Sequence, residues 1–277
     1  MQRTFTHAHA GTMTLDLDVP IGTVTVLADQ HATQGEVTIE PEDPQDSTAA
    51  DLIERATSDS SGDTLRLVVP QPLEQVTSAG SARFARNITQ VNVGSVVIGD
   101  DVVVSGGMIN GRAVGTDRGA VRVVAHVPEG SNLTVATTSA DVATYGFLYR
   151  AEFRSTSGDL RLDRAARVWF QSVSGDLSGA EIGPLRAHTT SGDVRVDTVD
   201  SPTVQTVSGD VDIRLTGRHA VVSATSGDVT VHAVSDGDIS ARTVSGDVRV
   251  TSDPGVRADI DAHSVSGRVR IPSSARP

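Results

Sequence analysis

The amino-acid sequence predicts an all-β chain folded as a parallel β-helix, a β-solenoid with one coil per 17–19 residues over most of its length. The general bias of parallel crossovers makes it right-handed. Three observations predict this fold. Glycine recurs as Gly158, Gly175, Gly192, Gly209, Gly227, Gly246 and Gly267, at steps of 17, 17, 17, 18, 19 and 21, mostly inside the motif Ser-Gly-Asp. A nearly fixed period of this length is the mark of stacked coils. The residues flanking each glycine alternate apolar and polar, as in strands with one buried face. Finally, equivalent residue types recur at one offset from every glycine. Parallel strands stacked ~4.8 Å apart require that recurrence, and antiparallel hairpins do not.

The elements follow in order within one domain spanning residues 1–277. Residues 1–75 read as irregular β, with alternation in "TMTLDLDV", "TVTVLA", "EVTIEP" and "TLRLVVP". Between these runs, "DPQDSTAADLIERATSD" predicts one short surface helix near 46–57, capped by Asp46 or Ser47 and placed to cover an end. Residues 76–120 are rich in Gly, Val and Ile, too apolar for a flexible linker, and predict short, turn-dense rungs. The regular array occupies 120–271, with a degenerate first copy in which Ala140 stands 18 residues before Gly158.

Each repeat has two arms. After the turn, the pairs Leu160 and Leu162, Val194 and Val196, Val211 and Ile213, Val229 and Val231, Val248 and Val250, and Val269 and Ile271 point inward. Before the turn, Phe153, Phe170, Ala187, Val204, Val222, Ala241 and Ala262 form one inward column. Ser155, Ser172, Thr189, Thr206, Ala224, Thr243 and Ser264 form a second. Small residues in one arm and branched aliphatics in the other fill a narrow interior. The connections are too short for a crossover helix, a unit that needs about 30 residues.

Composition excludes several classes of function. The chain carries 23 basic residues, all Arg, against 35 acidic ones, a formal charge of −12. Phosphates are repelled over most of such a surface, which argues against nucleic acid. Cysteine is absent, so disulfides, thiol catalysis and zinc-thiolate sites are excluded. No run approaches the ~20 apolar residues of a membrane helix, and none has the length of a signal peptide. The expectation is therefore a cytoplasmic protein without membrane insertion, and no cofactor is indicated.

Two columns are candidate sites. Asp159, Asp176, Asp193, Asp210, Asp228 and Asp247 place one carboxylate on each coil. A Ca²⁺ ladder is one reading of that column. The other is structural: glycine supplies a positive φ, Ser and Asp bond their own turn, and Arg161, Arg195, Arg249, Arg270 and the terminal Arg268 offset the charge. Arg154, Gln171, His188, Gln205, Arg242 and His263 form an outward stripe suited to an extended ligand such as a polysaccharide. Trp169, the one Trp, does not by itself make an aromatic groove. His188, Ser191 and Asp193 have the residue types of a catalytic triad, but their spacing is that of the generic turn.

"TSGDLRLD", "TSGDVRVD", "VSGDVDIRL", "TSGDVTVHA" and "VSGDVRV", together with "VVAHVPEGSNLTVATTSADV", resemble the bacterial putative-adhesin family of β-strand-repeat proteins, a domain of unknown function. The resemblance is strongest over 120–271 and implies a parallel β-helix. The expected function is a non-enzymatic scaffold or protein-interaction module, with an unidentified protein partner or self-association. The competing reading is a polysaccharide- or Ca²⁺-binding adhesive module of the cell envelope.

Overall fold

The computed structural model describes residues 2–72 and 119–272, with five short strands between them. The chain opens with β1 (Arg3–Ala10), β2 (Thr14–Asp18), β3 (Gly22–Asp29) and β4 (Gln34–Pro41). Helix α1 (Ser47–Arg55) and the hairpin β5 (Thr57–Ser61) to β6 (Thr64–Val68) follow. The next segment contributes β7 (Ile88–Asn92), β8 (Ser95–Ile98) and β9 (Val102–Ser105), which pair antiparallel in a sheet of their own. It also contains the antiparallel pair β10 (Met108–Ile109) and β11 (Arg112–Ala113). The rungs expected over 76–120 lie largely outside the described residues.

The array begins with β12 (Val121–Pro128), β13 (Asn132–Ala136), β14 (Asp141–Tyr145) and β15 (Phe147–Leu148). It continues through β16 (Arg150–Arg154), β17 (Leu160–Ala165), β18 (Val168–Ser172), β19 (Leu177–Thr189) and β20 (Val194–Thr206). The last coils hold β21 (Val211–Leu215), β22 (His219–Ala224), β23 (Val229–Ala233), β24 (Gly237–Ser245), β25 (Val248–Ser252), β26 (Ala258–Ser266) and β27 (Val269–Arg270).

The chain is a parallel β-solenoid. Arms before the turn stack in the order β2, β13, β16, β18, β19, β20, β22, β24, β26, every pairing parallel. Arms after the turn stack as β3, β14, β17, β19, β20, β21, β23, β25, β27, again in parallel. We call these the pre-turn and post-turn sheets. The 13-residue strands β19 and β20 run through the corner and belong to both.

The first coil is far removed in sequence from the second. Strands β2 and β3 make one complete coil on which β13 and β14 stack directly, with Leu15 beside Leu133 and Val24 beside Val142. Antiparallel strands close this end: β5 on β6, β4 on β12 and β1 on β4. Helix α1 adds Ala49, Leu52 and Ile53 to the core. Asp46 caps it by accepting the Thr48 N–H, and Arg3 donates to the Ile53, Glu54 and Ala56 carbonyls at its far end.

The interior follows the two-arm pattern. Leu160, Leu162, Val194, Val196, Val211, Ile213, Val229, Val231, Val248 and Val250 are buried, as are Phe153, Phe170, Ala187, Val204, Val222 and Ala241. Phe153 and Phe170 stack across coils, centroids 5.5 Å apart and planes 6° from parallel, which parallel register makes possible. The terminal pair departs from the pattern. Val269 and Ile271 are 41% and 47% exposed, because no described coil lies over them.

Candidate binding face

The repeated turn is held by bonds between coils as well as within them. In the regular copies the inward Ser or Thr accepts the glycine N–H three residues on: Ser155 from Gly158, Ser172 from Gly175, Thr189 from Gly192 and Thr206 from Gly209, at 2.6–3.0 Å. The Asp column does not bond its own turn, which corrects the expectation. Each Oδ1 accepts the backbone N–H of the next coil's Asp: Asp159 from Asp176, Asp176 from Asp193, Asp193 from Asp210, Asp210 from Asp228 and Asp228 from Asp247, all at 2.8–2.9 Å. Asp141 starts this ladder and Arg268 ends it, donating its own backbone N–H to Asp247.

Glycine is required here chiefly by close approach. A Cβ on Gly192 would stand 2.0 Å from the Gly175 carbonyl oxygen, and one on Gly209 2.0 Å from that of Gly192. Only Gly227 and Gly246 of the column have positive φ, +153° and +146°. That change begins where Ala224 replaces the hydroxyl residue. The Gly227 N–H donates to the Ser245 carbonyl of the next coil, and the Gly246 N–H does the same to Ser266 although Thr243 keeps the hydroxyl, which donates instead to the Gly227 carbonyl.

The ladder's charge is offset mainly by these amide donors. Of the arginines expected to pair with it, Arg195 does, 2.9 Å from Asp193. Arg161, Arg249 and Arg270 form no ion pair among the described residues. No group of three or more His, Asp or Glu residues among them is arranged to hold a metal ion. The triad types His188, Ser191 and Asp193 do not form a relay, because the Asp193 oxygens serve Asp210 and Arg195. On the post-turn sheet, His232 instead bridges Thr251 (2.8 Å) and Asp253 (3.1 Å) across coils.

The outward stripe is continuous. Arg154, Gln171, His188, Gln205, Ser223, Arg242 and His263 are successive register partners on the pre-turn sheet, and all are exposed. Arg242 is paired with Asp261. A second outward column, two residues earlier, contains Glu152, Trp169, Arg186 and Thr203. Trp169 is the one Trp of the chain and by itself makes no aromatic groove. Register places it between Glu152 and Arg186, and the Arg154 guanidinium lies over its ring, 4.3 Å from the centroid.

These columns enclose a shallow cleft of about 590 Å³, lined by Arg150, Glu152, Arg154, Arg167, Trp169 and Arg186 with Ser201 and Thr203. A second depression of about 420 Å³ shares Arg154 and continues past Gln171 and His188 to Thr190. The cleft holds four Arg and one Glu, on a chain of net charge −12. Glu152 pairs with Arg150. Arg167 and Arg186 have no ion-pair partner among the described residues. The same face turns acidic on both sides, with Asp16 and Asp18 on β2 and Asp238, Asp259 and Asp261 on β24 and β26. Burial pushes the Asp18 carboxyl above its usual range; nearby Arg66 lowers it and Asp16 raises it.

The model of the Toastrack DUF4097 family matches residues 117–276. The chain belongs to this family. No match was found among the curated proteins. Among solved structures, the Toastrack chain is similar to a putative lipid binding protein from Parabacteroides distasonis, at 15% identity and a TM-score of 0.55, covering 98% of this chain and 97% of that one. A putative adhesin from the same organism shows 12% identity and a TM-score of 0.52, with 98% and 96% covered. One from Bacteroides fragilis shows 12% identity and 0.51 over the same shares. At these identities the likeness is one of fold. No helix among the described residues is long and apolar enough to cross a membrane.

Proposed function

We propose that this Toastrack chain is a non-enzymatic, adhesin-like interaction module whose pre-turn outer face holds an extended polysaccharide. The observation that carries this reading is the pair of depressions sharing Arg154 across the successive strands β16, β18, β19 and β20. A rigid sheet keeps such a surface preorganised, so little side-chain or loop ordering opposes binding. The exposed Gln171, His188 and Gln205 and the half-buried Thr203 offer donors and acceptors for sugar hydroxyls. The names of the solved relatives, two of them putative adhesins, are consistent with a surface-binding role.

Trp169 is the one Trp in the chain, so its fluorescence reports on this face alone. Titration with a panel of soluble polysaccharides, followed by emission and calorimetry together, tests the reading. Binding that shifts Trp169 emission is the expected result. Calorimetric binding with unchanged emission would put the ligand elsewhere, and binding to no member of the panel would overturn the proposal.

A further inference from the structure

We infer that the cleft formed by Arg150, Arg154, Arg167, Arg186 and Trp169 is a site for a carboxylate-bearing polysaccharide. This rests on the polysaccharide reading above and names the ligand's chemistry. An acidic protein has concentrated unneutralised arginines at one place on one face. Arg167 immediately precedes β18 and Arg186 lies on the adjacent strand β19, so they stand one coil level (~4.8 Å) apart and two residues apart along the strands. Neither is paired among the described residues, and no hydrogen bond among those residues uses their guanidinium groups.

Arg154 is the positioned member of the set. Its guanidinium lies over the Trp169 ring, 4.3 Å from the centroid. A cation–π contact does not use up the guanidinium N–H donors as an ion pair would. Five donors in a fixed fork match a carboxylate bidentately, and an Arg held in this way loses less freedom on binding. Arg150, held by Glu152, narrows the cleft on the other side.

The surroundings select a weakly charged polymer. A ligand with dense phosphate charge would extend past the cleft onto Asp18 in one direction and Asp238 and Asp259 in the other, while Asp16 and Asp261 are already paired with Arg66 and Arg242. Like charges juxtaposed in this way are repelled. A polysaccharide with at most one carboxylate per sugar places few charges on the basic rungs and lays neutral hydroxyls against Gln171, His188, Ser201 and Thr203. The basic island spans β16, β18 and β19, so a short stretch of chain saturates it.

Matched polymers provide the test: dextran, carboxymethyl-dextran on the same backbone, and polygalacturonate, each titrated against the full chain by Trp169 emission and calorimetry. Carboxymethyl-dextran and polygalacturonate should bind and dextran should not, and rising salt should weaken the binding. The double variant R167Q/R186Q should lose about tenfold affinity per arginine removed, the cost of a hydrogen bond to a charged group. The control R161Q/R249Q removes the same charge from the post-turn sheet and should bind within about twofold of the parent, a shift of about 0.4 kcal/mol. Equal binding of dextran, or an R167Q/R186Q variant that binds like the control, would overturn the carboxylate assignment while leaving the polysaccharide face standing. Duplex DNA binding more tightly than polygalacturonate would overturn it in favour of a general polyanion site. If no polymer binds, both readings fail together.

Discussion

Asp193 and Asp210 are joined across neighbouring coils: Oδ1 of Asp193 accepts the backbone N–H of Asp210 at 2.9 Å. The same bond recurs up the array, so each carboxylate is an acceptor in the stack as well as a surface charge. This explains how a file of like charges one strand spacing apart is tolerated. Every carboxylate in the file faces an amide dipole.

Asp193→Asn keeps the Oδ1 acceptor and loses only the exposed pair with Arg195. Its stability should fall by less than about 1 kcal/mol. Asp193→Ala leaves the Asp210 N–H without its side-chain partner and should cost about 1–2 kcal/mol. Denaturant unfolding of both variants checks this, and equal losses would mean that charge rather than the acceptor matters. Because every Oδ1 is engaged, millimolar Ca²⁺ should leave Tm unchanged. A Ca²⁺-dependent rise that vanishes in D193N/D210N would restore the ion-binding ladder.

Gly192→Ala and Gly62→Ala separate close approach from backbone conformation. A Cβ at Gly192 meets the Gly175 oxygen at 2.0 Å, and that carbonyl belongs to the stack and cannot swing away. Overpacking against backbone should cost about 3 kcal/mol. Gly62 has φ +61° and nothing within 4 Å, so Ala there should cost about 1 kcal/mol from conformation alone. Thermal melts that rank the two in the opposite order would refute the close-approach account.

Ile213 is 1% exposed between the two sheets, whereas Gln205 lies on the outer stripe. Ile213→Asp puts an unpaired carboxylate in a narrow apolar interior and should abolish cooperative unfolding. Gln205→Asp should change stability by no more than about 0.5 kcal/mol. Circular dichroism melts distinguish the two outcomes directly.

Asp46 ties the helix to the start of the array, accepting N–H bonds from Thr48 at 2.8 Å and Gly119 at 2.6 Å. Burial alone would raise its carboxyl, but the N–H groups of Gly119, Thr48 and Ala49 and the Thr48 side chain outweigh it and hold the carboxyl below its ordinary range. A depressed folded pKa means that stabilisation is complete above the unfolded value of about 4 and is lost as pH falls through the folded one. Asp46→Ala should therefore cost about 1–2 kcal/mol at pH 7. That difference should shrink on acidification below about pH 4. A gap that does not narrow would show that the ionised carboxylate is not the capping species.

Periodicity in the sequence determined the solenoid, the inward columns and the outward stripe, because each depends only on the offset from one glycine and on side-chain alternation. It also determined the helix, through the cap and the short apolar side of "STAADLIER". Three features were decided only by the tertiary structure. The first coil, β2 and β3, lacks the Ser-Gly-Asp turn and meets β13 more than a hundred residues later, a long-range pairing that no local pattern encodes. The Asp ladder bonds from coil to coil because parallel stacking sets each Oδ1 2.8–2.9 Å from the next coil's Asp N–H. The basic cleft arises because Arg150, Arg154, Trp169 and Arg186 are scattered along the chain, and a residue's lateral neighbours in a sheet are set by register. Only the stack of coils puts Arg154 over the Trp169 ring on the same face as Arg167 and Arg186, which are unpaired among the described residues.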